Sequence, residues 1–385
     1  MNTEYRTNNR VALSRVEAYD AAVLEQTLRS QMQSLGIGRK DFEGKYVVLK
    51  PNLVVRRDPM KAATTHPVMV QAVIRIIKGW NPGKIVIAES SSGVYTRQSL
   101  EHSYKASGFY DVALEEGAEF NFDTAYETVK APDGQLCHEF HFIKPLCEAD
   151  IIINLCKLKT HSLAKMTAGA KNFFGAIPGR QKAEMHARFS RTEDFCSMLT
   201  DLCDCICSRV PVCTICDGIL AMEGEGPGTG DPRWLHALLS GMNPFSLDLA
   251  CCELISYGNT VPIVEEAKRR GLCPEKAQEL EIIGEKLEDL QVDDFKEPKS
   301  QVLSTGIRMI PEFMKPRPVI DRETCRGCGA CMESCPKQTI RMEDGKARIC
   351  RKDCIRCFCC QEVCPFKAVR IKHSVLFEKL LGVRR

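Results

Sequence analysis

Eight cysteines between residues 325 and 364 constrain this 385-residue chain more tightly than any other feature. They fall as Cys325-x2-Cys328-x2-Cys331-x3-Cys335-Pro336 and again as Cys354-x2-Cys357-x2-Cys360-x3-Cys364-Pro365. Cys354 lies 29 residues after Cys325, and Cys364 lies 29 after Cys335. A repeat of that kind implies one structural unit used twice and related by an approximate two-fold axis.

The spacing carries chemistry. Thiolates at i, i+3 and i+6 lie along a loop tight enough to cap three irons of one cubane. The fourth, three residues further on a short helix, points toward a second cubane. One set is then Cys325, Cys328, Cys331 and Cys364, the other Cys354, Cys357, Cys360 and Cys335, for two [4Fe–4S] clusters. Pro336 and Pro365 stop the short helices, because proline has no amide hydrogen to donate. Gly327 and Gly329 let backbone amides approach the sulfurs. Zinc also uses repeated C-x2-C, but its closed tetrahedral sites do not call for a doubled run ending in Cys-Pro.

The runs resemble bacterial-type ferredoxins over residues 318–373. That resemblance implies a small α+β ferredoxin-like two-cluster domain. Its first strand reads from Pro318 to Asp321, and its last from Ala368 to Ile371. Between them Thr339–Met342 and Ala347–Ile349 read as a hairpin across an Asp344-Gly345 turn. Cys350 and Cys359 fall outside the pattern and read as packing, Cys359 toward the small core of the module.

Composition excludes several classes. An apolar content of 44% and a charged content of 27% are those of an ordinary globular protein. No apolar run has transmembrane length and the polar N-terminus lacks a signal-peptide core, so no membrane span is expected. Twenty-two cysteines in such a chain point to a reducing cytoplasm rather than a disulfide framework. A net charge of +3 makes no electrostatic case for nucleic acid. Residues 321–385 carry a formal +7, which leaves −4 for the rest and favours docking of a basic module within the chain or on an acidic partner.

Residues 1–295 read as an α/β domain, a mostly parallel sheet with helices on both faces. Strands are expected at Tyr46–Leu49, Ile85–Ala88, Ile151–Leu155 and Val212–Ile215. Helices are expected at Val68–Lys78 behind Pro67, at 192–208 and at Leu247–Ser256. Residues 296–317 read as a linker and 374–385 as a tail, with a short amphipathic helix packed on the protein.

Polar residues collect where those strands should end, and in open α/β sheets ligands bind beyond the carboxyl ends of strands. The candidates are Lys50, Lys157, Lys159, His161 and Lys171 for a carboxylate or phosphate ligand, with Asp217 and Glu223 as acid, base or metal ligands. On an extended backbone Lys157, Lys159 and His161 share one face. Asp217-Gly218 reads equally as a turn, and the glycine-rich stretch 222–231 as a lid or a wide turn. Cys196, Cys203 and Cys207 share a helical face and read as core, as does Cys213-x2-Cys216, whose odd separation sends its side chains to opposite faces of a strand.

These stretches resemble the family called domain of unknown function 362, often fused to a ferredoxin module. The matching segments are Lys50-x-Asn52, Thr64-Thr65-His66-Pro67, Lys157-x-Lys159-Thr160-His161, Lys171-Asn172 before Gly175, and Asp217-Gly218 with Glu223-Gly224-x-Gly226-Pro227, within residues 45–285. The resemblance implies a cytoplasmic iron–sulfur protein of unsettled activity. Three readings stand. The chain relays single electrons to a redox partner protein, it is a reductase with an anionic small molecule in the lysine-rich crevice, or it is a redox sensor or assembly factor with structural clusters.

Overall fold

The computed structural model describes residues 3–53, 57–90, 93–298 and 316–372. Its larger part holds strands β1 (Arg10–Arg15), β2 (Tyr46–Pro51), β3 (Lys84–Ile87), β4 (Glu119–Phe120), β5 (Tyr126–Lys130), β6 (Glu139–Ile143), β7 (Ile151–His161), β8 (Lys165–Thr167), β9 (Val212–Glu223), β10 (Asp231–Gly241) and β11 (Glu281–Gly284). All but the β5–β6 ribbon form one sheet in the order β11-β1-β10-β9-β7-β2-β3-β4, with β8 paired to β7. From β9 through β7, β2 and β3 to β4 the pairing is parallel. Only β10 inverts the path, antiparallel to both β9 and β1.

The apolar runs explain this layout. A parallel strand covered on both faces needs near-continuous hydrophobic residues, and β7 is buried along its whole length. Alternate side chains then serve opposite layers. Val47, Leu49, Ile85, Ile87, Ile151 and Ile153 pack with helices Ala21–Ser34 and Pro67–Lys78. Val48, Val86 and Ile152 pack with helices Thr192–Cys207 and Pro244–Leu254. Cys213 and Cys216 fall into these two layers, one each, as a three-residue separation requires.

Two expected strands are longer than their apolar runs. β7 continues to His161, and β9 continues through Asp217-Gly218 to Glu223, so that dipeptide lies inside a strand and makes no turn. The extensions are held by hairpins, β7 with β8 and β9 with β10. They carry polar side chains past the carboxyl edge of the parallel core.

The C-terminal part pairs β12 (Arg317–Ile320) with β15 (Val369–Lys372), and β13 (Ile340–Glu343) with β14 (Lys346–Ile349), both antiparallel. Asp344 and Gly345 at the β13–β14 turn both have positive φ, as a two-residue hairpin loop prefers. The 29-residue offset maps β12 onto β14 and β13 onto β15. It also maps the left-handed backbone at Gly327, Gly329 and Gln338 onto Arg356, Phe358 and Lys367. The repeat therefore exists in the backbone itself. Cys350 departs from expectation: it is exposed rather than packed, because it follows the last residue of an edge ribbon. Most of the expected linker and the tail helix lie outside the described residues.

Candidate functional site

The eight cysteines divide around two small cavities. Cys325, Cys328, Cys331 and Cys364 line one, together with Gly327, Ala347 and Ala368. Cys335, Cys354, Cys357 and Cys360 line the other, together with Thr339, Phe358 and Cys359. Each group takes three cysteines from one run and one from the other. Backbone amides point at the sulfurs: Thr339 N to Cys335 Sγ at 3.3 Å, Ala368 N to Cys364 Sγ at 3.3 Å and Ala347 N to Cys325 Sγ at 3.5 Å. The first two are repeat equivalents. Burial would raise the Cys325 thiol, but the amides of Ala347 and Gly327 and the ammonium of Lys346 outweigh it and hold it below its usual range. Among the described residues no three His, Cys, Asp or Glu side chains converge on a single-ion site.

A third cavity, of about 70 Å³, lies between this module and the α/β sheet. The sheet side supplies Lys159 and His161 from β7, Glu89 from the end of β3, Lys171 and Phe174, and Lys182 and His186 from the helix Gln181–Arg188. The module supplies Glu333, Cys359 and Glu362. Glu333 and Glu362 occupy equivalent positions in the repeat. Cys359 lines this cavity as well as the one around Cys335, Cys354, Cys357 and Cys360, so its side chain is the wall between them.

The charges here are buried. Lys50, wholly inaccessible, donates to Glu89 at 2.5 Å. Gly175 makes room for that carboxylate, which a Cβ would strike. Lys159 donates to Asn52 Oδ1 at 2.7 Å and Ala63 O at 2.6 Å, both neutral acceptors. Lys171 lies over the rings of Phe174 and Phe195, 5.6 and 5.9 Å from their centroids. Burial, then the neighbouring Lys171, pushes Lys159 well below the usual lysine range. Burial also lowers Lys171, and it brings Lys182 down to about 7. His186 is brought to about 3 by burial.

The seam between the two parts is held by polar contacts. His161 Nδ1 accepts the amides of Leu163 and Ala164 at 3.0 and 3.1 Å. Its proton therefore sits on Nε2, which faces Glu362 Oε1 at 3.1 Å. Burial would raise Glu362, but His161, His186 and Lys171 outweigh it and hold the carboxyl near 2. Gln361 binds Ser162 Oγ at 3.2 Å and Thr229 Oγ1 at 2.8 Å, Arg57 donates to Cys364 O at 2.9 Å, and Lys367 donates to Thr229 O at 3.2 Å. The glycine-rich stretch 222–231 is thus a hairpin turn that serves as a docking shelf. The contact pairs a neutral imidazole on the sheet side with a carboxylate on the module, so it is no expression of the opposite net charges of the two parts.

Of the seven crevice candidates, Lys159, His161 and Lys171 meet in the cavity, and Lys50 backs it through Glu89. Lys157 and Asp217 pair elsewhere at 2.8 Å, both fully buried, with Tyr19 OH donating to Asp217 at 2.7 Å and the His66 amide at 3.1 Å. His66 stacks on Tyr19 with centroids 3.7 Å apart and caps the helix Pro67–Lys78. Glu223 lies at the hairpin, held by Arg233 at 3.0 Å and Lys296 at 2.9 Å. Sequence reasoning missed Lys182, His186, Glu362 and the place of Cys359. The i, i+4 spacing of Lys182 and His186 is a helical-face signal that could have found the first two.

The model of the domain of unknown function 362 matches residues 47–253, more than half of the chain. The protein belongs to that family. A second model, for a 4Fe-4S dicluster domain, matches residues 317–365 and makes the C-terminal module a 4Fe–4S-binding unit. The thylakoid-associated protein sll1697 of Synechocystis sp. is 31% identical over 296 residues, which cover 75% of this chain and 88% of that protein. Among solved structures, a Thermotoga maritima protein aligns over 62% of this chain at 14% identity and a TM-score of 0.37. The lactate racemase apoprotein of Thermoanaerobacterium thermosaccharolyticum aligns over 66% at 16% identity and 0.39. The chain spans 59% and 58% of those two structures. Among the described residues no helix is long and apolar enough to cross a membrane.

Proposed function

We propose that this chain is an iron–sulfur electron-transfer protein with two [4Fe–4S] clusters, one on Cys325, Cys328, Cys331 and Cys364 and one on Cys354, Cys357, Cys360 and Cys335. Bound there, such clusters supply one-electron transfer at each site. The observation that carries the reading is the interleaved division of the eight thiols around two cavities. The donor set fits: four sulfurs each, with amide N–H groups aimed at thiolate charge. The domain limits 1–295, 296–317, 318–373 and 374–385 belong to this proposal. So does a reducing, cytoplasmic setting for 22 cysteines.

A specific feature favours delivery to a site on the chain's own α/β domain over a simple carrier role. The cavity carrying Lys159, Lys171 and Lys182 is walled by the module, and Cys359 separates it from the second group of thiols. In this reading Lys159, Lys171 and Lys182 hold an anionic acceptor, His161 and Glu362 keep the module in register, and the buried walls exclude water. A carrier for a redox partner protein would use the exposed side of the module near Cys328.

Anaerobic purification with iron and sulfide counts and electron paramagnetic resonance tests the core of the proposal. About eight irons per chain, reducible at low potential, are expected. Zinc in place of iron, or clusters that take up no electron, would sink it. Lys159→Met separates the readings: lost turnover with normal cluster reduction supports delivery to the cavity, and unchanged turnover supports the carrier.

A further inference from the structure

Resting on the reading just given, the inter-domain cavity can be assigned a ligand class from its charge. Four buried ammonium groups, Lys50, Lys159, Lys171 and Lys182, stand in or directly behind its walls. Against them are two buried carboxylates, Glu89 and Glu362. Glu89 is taken by Lys50 and Glu362 faces His161. Exposed Arg180 and Glu333 at the rim offset one another. Among the described residues the enclosed part therefore holds two more cationic than anionic side chains. Enclosing a net charge is costly, so an excess of this kind is offset in a functional protein by a ligand or by proton loss.

A second, independent observation points the same way. His186 is buried and lines the cavity, and its Nδ1 has no hydrogen-bond partner among the described residues. The ring is fixed instead by stacking on Phe195 at 4.3 Å and by an edge contact with Phe174 at 5.4 Å. Among the described residues the ammonium of Lys171 has no hydrogen-bond partner and lies over two ring faces. Polar atoms held rigidly toward an enclosed space, without protein partners, mark a place for ligand atoms.

We infer that the cavity binds a small doubly charged oxyanion between Lys171 and Lys182, with His186 as a third contact, and that the ferredoxin-like module closes the site over it. A small ligand is required because the cavity measures about 70 Å³. The titration of Lys182 gives the binding a signature. Burial lowers this lysine to about 7; Glu89 pulls it up, while Lys50 and Lys171 push it down. A dianion beside it raises it again, so binding takes up a proton. Affinity is greatest below pH 7 and weakens as pH rises from 7 toward the ligand-bound value.

Anaerobic titration calorimetry of the full cluster-loaded chain tests this, with oxalate and sulfate as probes because both stay doubly ionised from pH 6 to 9. Oxalate tests a planar dicarboxylate and sulfate a tetrahedral oxyanion. Binding of either supports the inference when repeats in buffers of different ionisation enthalpy show proton uptake near pH 7.5. Lys182→Gln should weaken binding about tenfold or more and abolish the uptake, and Lys171→Gln should weaken it comparably with iron content unchanged. The wild-type proton uptake stands as evidence even if a variant fails to fold. If neither probe binds, or both bind equally well to the variants, the inference is overturned. It is equally overturned if Lys182→Gln only shifts a cluster potential, since the lysines would then be counter-charges for the neighbouring cluster. Clusters that count and reduce normally while no dianion binds would leave the electron-transfer reading intact.

Discussion

The cysteine module and the cavity beside it handle charge in opposite ways. In the module the charge-bearing atoms are sulfurs supplied by a local repeat, and backbone amides and nearby lysines meet them within one short stretch of chain. In the cavity the charges are long cationic side chains drawn from β2, β7 and two helical segments, while the module brings carboxylates. The first arrangement favours the ionised thiol at Cys325, whereas burial raises Cys331 and Cys360. The second leaves lysines and histidines poised away from their solution protonation. Sites of the second kind bind or react, whereas the first kind holds a group in place.

The largest effect that could break this contrast comes from the thiols. Cys360→Ala should halve the iron, from about eight to about four per chain, and remove one spectroscopic signal. An undiminished count would mean that the interleaved division is wrong.

Next in size is the buried pair that the cavity does not use. Asp217→Ala leaves Lys157 in the core without its counter-charge, and should destabilise the chain by about 3–5 kcal/mol in denaturant titration. A Lys157→Met/Asp217→Leu double variant should recover much of that loss. If the single variant is neutral while turnover falls, the pair belongs to the site after all.

The histidines sharpen the contrast through pH. Burial holds His161 and His66 near 4 and His186 near 3, below the ordinary 6.5. The unfolded chain therefore binds more protons below pH 6.5, and stability is full above that value. It should fall as pH drops from 6.5 toward 4, with a limiting slope of about 1.4 kcal/mol per pH unit for each histidine. His186→Phe, which keeps the ring stack, should flatten the urea-midpoint profile. An unchanged slope would remove His186 from the account.

Two smaller effects concern the seam and the spare cysteine. Gln361→Ala loses contacts to Ser162 and Thr229 and should cost about 1–2 kcal/mol, read as faster proteolysis between the two parts. Cys350→Ser should change neither iron count nor stability, because the residue is exposed and lines neither thiol cavity.

Much of the fold was legible because its signals are local. The apolar runs of β2, β3 and β7 and the Pro67 helix start were readable by pattern, and so were the opposite faces of Cys213 and Cys216. The strand status of Asp217-Gly218 was not, because antiparallel pairing with β10 overrides a strong turn dipeptide. The crevice was half legible. Lys159, His161 and Lys171 follow strands in the expected way, but Lys157 on the same face as Lys159 is drawn off by Tyr19 and Asp217. No spacing rule could bring Glu362 to Lys182 and His186, since it lies on a segment far from their helix in the chain.

The amino-acid order alone determined the spacing of the module's eight cysteines, the repeat of 29 residues and the layered α/β class, because each depends on neighbours a few positions away. Only the tertiary structure decided which cations face an enclosed space, that Glu362 and Cys359 of the module wall it, and that a glycine-rich turn is the docking shelf. Those outcomes rest on burial and on pairing between distant segments, and a buried charge takes its chemistry from whatever the fold brings against it.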